Sequence, residues 1–215
     1  MRAPFLFAAL SLLAAGCAGH ISPKLDDSPE KSGLAVLECY YYPSDPEQVR
    51  SKYNAPDSFV ARAAYLETFD GSRSFRGLSD YGTGYVIFTD VPAGRYRLTR
   101  IDMETKEYSE QLLRDLTLDV TFRIPPGTPG DTARIENGRP LYLGHLAIRR
   151  SYKYEDVAHA PSQTARKEDG PVDMEFRANE EDEVRAWRTL LERKSYKRSL
   201  WGPAMEKRLA EVEKR

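Results

Sequence analysis

The chain has 215 residues, 30% of them charged, and a formal net charge of −1. That balance gives no general attraction to nucleic acid or anionic lipid, and the length suits one domain with appendages rather than several domains. Thirteen tyrosines against eight phenylalanines fit β structure with half-exposed faces.

At the N-terminus Arg2 supplies a positive charge, and residues 5–15 carry no charge and one polar side chain, Ser11. Such a run is too short to cross a bilayer, which takes about 20 apolar residues. It suits the hydrophobic region of an export signal, about 7–15 residues long. Small residues Ala14, Ala15 and Gly16 then precede Cys17. The string Leu12-Leu13-Ala14-Ala15-Gly16-Cys17 resembles the lipobox of bacterial lipoproteins. It departs from the family preference for Leu, Val or Ile three places before the cysteine, where this chain has Ala14.

The resemblance implies removal of residues 1–16 and a thioether-linked diacylglycerol on Cys17, with its amino group acylated. Two or three acyl chains anchor stably where one does not. Ala18 and Gly19 follow the cysteine, rather than the aspartate that resembles an inner-membrane retention signal. The expected address is therefore the outer membrane of a Gram-negative cell. A lipidated Cys17 cannot pair with Cys39, the other cysteine of the chain. The mature domain is then expected to rest on its core without an internal disulfide. Residues 17–32 carry Ser22, Pro23, Asp26, Asp27, Ser28 and Pro29 without apolar periodicity and read as a flexible tether.

From residue 33 to residue 150 the apolar period is mostly two, which predicts a β-sandwich domain of antiparallel strands. Strands are expected over 33–42, over 61–69 as one arm of a hairpin turning at Asp70-Gly71, and over 84–90. A further strand over 95–103 changes phase between Leu98 and Ile101, which predicts a bulge near Thr99. The clearest alternation is 116–124, with Leu116, Leu118, Val120, Phe122 and Ile124 on one face. A late strand is expected over 141–150.

Within this region, residues 85–98 include Val91-Pro92-Ala93-Gly94-Arg95-Tyr96. The segment resembles a strand–turn–strand of transthyretin-like sandwiches, which include carboxypeptidase regulatory-like domains. Pro92 fixes φ on entering the turn, Gly94 is expected to supply a positive φ, and Tyr96 to pack back across the sheet. Some relatives carry a Lys–Asn cross-link. The first strand here carries Glu38 and no lysine, so that feature does not transfer.

Residues 151–178, with Pro161, Gly170 and Pro171, read as irregular. The period then changes, and residues 179–215 read as a helical extension. Asn179 suits an N-cap, with Glu180, Glu181 and Asp182 at the positive end of the helix dipole. Val184, Trp187, Leu190 and Leu191 form one apolar stripe. Gly202-Pro203 starts a second helix, with Met205, Leu209 and Val212 as its stripe. Both amphipathic helices are expected to dock on the sheet.

Candidate chemistry is sparse. Cys39 alternates with Ala35, Leu37 and Tyr41 and reads as a buried, inert thiol. His20, His145 and His159 lack the paired spacing of a metal site, and no catalytic or phosphate-loop motif is present. No cofactor is expected. Tyr40, Tyr41 and Tyr42 offer an aromatic contact surface or simply alternate in burial. The expectation is a lipid-anchored, non-enzymatic binding module with an envelope protein or surface component as partner. The alternative is an envelope hydrolase built on His145 or His159 with nearby carboxylates.

Overall fold

The apolar run Leu34-Ala35-Val36-Leu37 is buried on both faces, and so is β1 (Gly33–Pro43), a strand at the heart of a sheet rather than at its surface. The computed structural model describes residues 23–43, 59–80, 83–109, 114–150 and 172–215. The remaining described strands are β2 (Phe59–Thr68), β3 (Ser74–Asp80), β4 (Tyr85–Val91), β5 (Gly94–Ser109), β6 (Arg114–Arg123), β7 (Thr132–Ile135), β8 (Pro140–Arg150) and β9 (Val172–Arg177). They form one sheet in the order β6-β5-β2-β3-β4-β1-β8-β9, with β7 pairing to β5 beside β6.

Seven of the strand pairings are antiparallel, but β1 and β8 run parallel. The expected antiparallel sandwich is therefore corrected to a single curled, mixed sheet. Alternation reports which face a residue occupies and is blind to strand direction, so this parallel pair was hidden. The concave face closes on itself: Leu37, Phe88, Leu66, Ile101, Phe122 and Ile148, from six strands, belong to one buried cluster. Gly33 at the start of β1 lies against Ile135 of β7, so distant parts of the sheet meet across the curl.

Two local expectations about β5 fared differently. Tyr65 pairs with Arg100 and Leu66 with Leu98, leaving Thr99 as the extra residue of a bulge, where the phase change placed it. Gly94 does not adopt a positive φ; in this turn region it is Asp90 that does, at 53°. Aspartate tolerates the left-handed region better than most residues, and the β1–β4 register shifts beside it. Gly94 is small for another reason. The Tyr96 hydroxyl folds back to donate to the Pro92 carbonyl at 2.7 Å, and a Cβ at position 94 would lie 3.1 Å from that hydroxyl oxygen.

The convex side of β4, β1 and β8 is covered by α1 (Glu180–Glu192), the four-residue α2 (Lys194–Lys197) and α3 (Gly202–Val212). Three helices replace the expected two, because a short turn intervenes before Gly202. Asn179 caps α1 by accepting from the Asp182 backbone N–H at 2.7 Å. Trp187, Leu190, Trp201 and Met205 pack on Leu34, Val36, Ile87 and Tyr142. Glu183 clasps α1 to α3: it accepts from Arg208 Nε at 2.7 Å and from Trp187 Nε1 at 3.0 Å.

Two segments differ from their sequence reading. Val172–Arg177, inside the stretch read as irregular, is β9, paired along Leu146 and Ile148 of β8. Of the stretch read as a tether, the described part is packed, with Leu25 and Ser32 buried. Leu25 joins the same cluster as Trp187 and Trp201, an apolar contact that a lone leucine among polar residues does not announce.

Candidate functional site

Alternation along β1 sends Ala35, Leu37 and Cys39 into the concave core and Leu34 and Val36 toward the helices. Glu38 continues the helix-facing row. A carboxylate is thereby carried into the seam between sheet and helices, where it is 3% exposed.

The next strand over supplies its partners through a bulge. Val36 pairs with Tyr142, but Leu37 pairs with Gly144, so Leu143 is extra. The phase of β8 flips there: Leu141 and Leu143 face the concave core, as do Leu146 and Ile148 beyond the bulge. Tyr142 and His145 consequently share the Glu38 side. Gly144 sits at the flip with φ of 121°, and a Cβ there would come within 2.7 Å of the Arg177 carbonyl oxygen, so only glycine fits.

Four donors converge on Glu38. Tyr40 reaches Oε1 at 2.8 Å, while Tyr142, His145 Nδ1 and Arg185 of α1 reach Oε2 at 3.2, 3.2 and 2.9 Å. The carboxylate only accepts, so Nδ1 of His145 carries the proton. The His145 ring stacks on Tyr40 with centroids 4.8 Å apart. Burial opposes ionisation of Glu38, but the hydrogen bonds from His145 and Tyr40 and the Arg185 charge outweigh it and hold the carboxyl down at about 2. The same burial and the Glu38 charge push the Tyr142 hydroxyl up.

A parallel fastener lies two strands away, beyond β4. Asp80, fully buried at the end of β3, meets Arg193 at 3.2 Å and accepts from the Thr83 hydroxyl at 3.0 Å. Both carboxylates hold an arginine of the helix layer to the sheet, Arg185 within α1 and Arg193 at its C-terminal end. Their arrangement serves docking first, since breaking a buried pair leaves an uncompensated charge.

A second feature occupies the outer face of β3, β2, β5 and β6. Register places Arg76, Tyr65, Arg100 and Arg123 in one row across these four strands. A cleft of about 510 Å³ lies along the row, lined by Tyr65, Glu67, Arg97, Arg100, Arg123 and Pro125 among others. The Arg100 guanidinium stacks 3.7 Å over the Tyr65 ring and reaches Asp102 at 3.2 Å. The Nε–H groups of Arg97 and Arg100 are buried without a partner.

Comparison of the chain with protein-family models, with curated proteins and with solved structures finds no match. Function is therefore read from the molecule's own geometry.

The residues singled out in the sequence fare unequally. Cys17, His20 and His159 lie outside the described residues, as do the side chains of Tyr41 and Tyr42. Cys39 is buried in the concave core, and burial together with the Glu38 charge pushes its thiol up. His145 lies beside the Glu38 carboxylate and the Tyr40 ring, brought there by the β8 bulge. Among the described residues no group of three or more His, Cys, Asp and Glu side chains is placed to hold a metal ion. No described helix is long and apolar enough to cross a membrane.

Proposed function

We propose that the chain is a cell-envelope protein, held in the outer membrane by lipid on Cys17, whose sheet domain acts as a non-enzymatic binding module. The observation that carries the reading is the arginine-lined cleft on the outer face of β2, β5 and β6. It is a concave surface built on strands of the sheet, mixing arginines with apolar side chains, where contact residues are best positioned. The strand–turn–strand around Pro92 and Tyr96 supports a transthyretin-like origin for that part of the sheet, a module type that hosts many roles.

The test is made in intact cells on the full chain. A photo-cross-linking residue replacing Glu67 in the cleft is expected to give a discrete envelope adduct, and one replacing the exposed Lys207 of α3 none. Cys17→Ser is expected to abolish fatty-acid labelling and release the protein from membranes. Adducts at Lys207 alone would move the contact surface to the helices. Membrane retention of the Cys17 variant would place the anchor elsewhere.

One observation favours the hydrolase alternative: His145 is oriented through Nδ1 by a buried carboxylate, as a general base requires. The crowding of two tyrosines and Arg185 onto the same carboxylate fits a fastener better. His145→Ala is expected to cost about 1.5–3 kcal/mol of stability through one lost hydrogen bond to a charged carboxylate while leaving the cleft adduct intact. Loss of the cellular phenotype at an unchanged melting temperature would put the hydrolase first.

A further inference from the structure

We propose that the cleft on the outer sheet face is a binding site for a phosphate group carried on a sugar or a lipid headgroup. The inference rests on the binding-module reading and names the ligand chemistry of the same surface.

The first argument is the register. Arg100 and Arg123 are directly opposed Cα partners on β5 and β6, and Arg76 stands on the far side of Tyr65 in the same row. Like charges placed opposite each other in a sheet destabilise it, and solvent screening only reduces the penalty. Such a row is best compensated by an anion held between the arginines. Among the described residues no carboxylate is within ion-pair distance of Arg97 or Arg123. Glu67 pairs with Arg97 by register without an ion pair, and Asp102 pairs with Arg100 while accepting from the Thr121 hydroxyl.

The second argument is the state of the donors. Buried N–H groups are rarely left unpaired, yet Arg97 and Arg100 both keep a buried Nε–H without an acceptor. A guanidinium offers Nε–H and one Nη–H as a parallel fork that matches two oxygens of a phosphate. Arg100 is already ordered, its face fixed on Tyr65 and its Nη2, the second donor of that fork, on Asp102, so it offers a ligand its positive charge rather than a free fork. Arg97 is likewise placed near an aromatic ring, 5.5 Å from the Phe69 centroid. Arginines ordered before the ligand arrives lose less entropy on binding it.

The third argument is the rest of the lining. Three arginines stand against two carboxylates, Glu67 in the lining and Asp102 on Arg100, which leaves the cleft positive. Ile124, Pro125 and Pro126 contribute an apolar wall beside them. A bare anion has no use for such a wall, whereas the carbon skeleton of a sugar or glycerol can lie on it.

The test uses the lipidated full chain in detergent micelles, titrated with inorganic phosphate, glycerol 3-phosphate and a hexose 6-phosphate, with the free hexose as control. Each phosphate is expected to raise the melting temperature of the parent protein and of R134Q, a variant outside the cleft. In R97Q/R123Q that response should vanish and binding should weaken at least about tenfold. Without ligand the double variant should melt at the same temperature as the parent or higher, because a like-charge row has been relieved. A lower melt together with undiminished phosphate binding would show that these arginines serve the fold instead.

Stronger binding of glycerol 3-phosphate supports a lipid headgroup, and stronger binding of the hexose phosphate supports a glycan. Equal binding of all three assigns the site to the phosphate group itself. Failure of every probe on the parent protein, or equal binding by R97Q/R123Q, overturns the inference. Should the Glu67 adduct persist in that case, the binding module stands and only its ligand class falls.

Discussion

Trp187→Ala is expected to destabilise the protein by about 3–5 kcal/mol, the usual consequence of truncating a buried tryptophan. Trp187 is fully buried between α1 and the sheet, so the helix layer cannot close over the space without moving. The indole N–H also donates to Glu183, which holds Arg208 of α3 at the same time. Truncation therefore removes packing and one member of the α1–α3 clasp together. For a chain of this size the melting temperature should fall by roughly 10 °C. Trp187→Phe separates the two contributions, since it retains most of the volume and loses the N–H. Thermal melts of both variants provide the check. An unchanged melt for the alanine variant would mean that the helix layer does not stabilise the sheet.

Glu38→Gln is expected to remove much of the protein's acid sensitivity as well as part of its stability at neutral pH. The Glu38 carboxyl is held at about 2 in the folded chain against an ordinary value of 4.5. A carboxyl lowered by folding contributes stability that is complete above its unfolded value and is lost as pH falls through the folded one. The loss should therefore run from about pH 4.5 down to about pH 2, and its full size is about 3 kcal/mol. Glutamine keeps the shape but not the charge opposite Arg185, so the variant should be less stable at pH 7 by about 2–3 kcal/mol. Its acid limb should be correspondingly flatter. Urea unfolding at pH 7 and pH 3 measures both effects, and parallel losses in parent and variant would show that Glu38 is not the group responsible.

Much of the sheet was legible because the sequence carries faces and turns explicitly. The alternation along β6 placed Phe122 and Ile124 inward, and both are buried. The phase change in β5 located the Thr99 bulge, since a slip of one residue exchanges the two faces. Asn179 and the acidic first turn of α1 announced its start. What stayed hidden depends on long-range pairing. β9 holds Met174 and Phe176 against the core, but a six-residue strand after a polar stretch has too few alternations to register. The parallel union of β1 with β8 joins residues about a hundred positions apart and leaves no local mark.

The Glu38 cluster shows the same limit at a finer scale. One signal was available: an acidic residue inside the run Leu34 to Cys39 had to be either exposed or paired, because burying a lone charge is prohibitive. Its partners were not legible, because Tyr142 and His145 reach it only through the bulge at Gly144, and Arg185 only through helix docking. The arginine row was equally invisible, since Arg76, Arg100 and Arg123 fall into one row only when three strand registers are known, one of them the long-range pairing of β2 with β5.

The burial of Leu25 beneath the helix layer fixes how far the body can stray. With Pro23–Leu25 fastened to the domain, the proposed lipid on Cys17 would leave only the six peptide links from residue 17 to residue 23 between bilayer and protein. Fully stretched, a link of that length reaches about 20 Å, less than the diameter of a small domain. The sheet would then work at the membrane face, its position confined by a short leash, and whatever it binds must come to the lipid surface to be met.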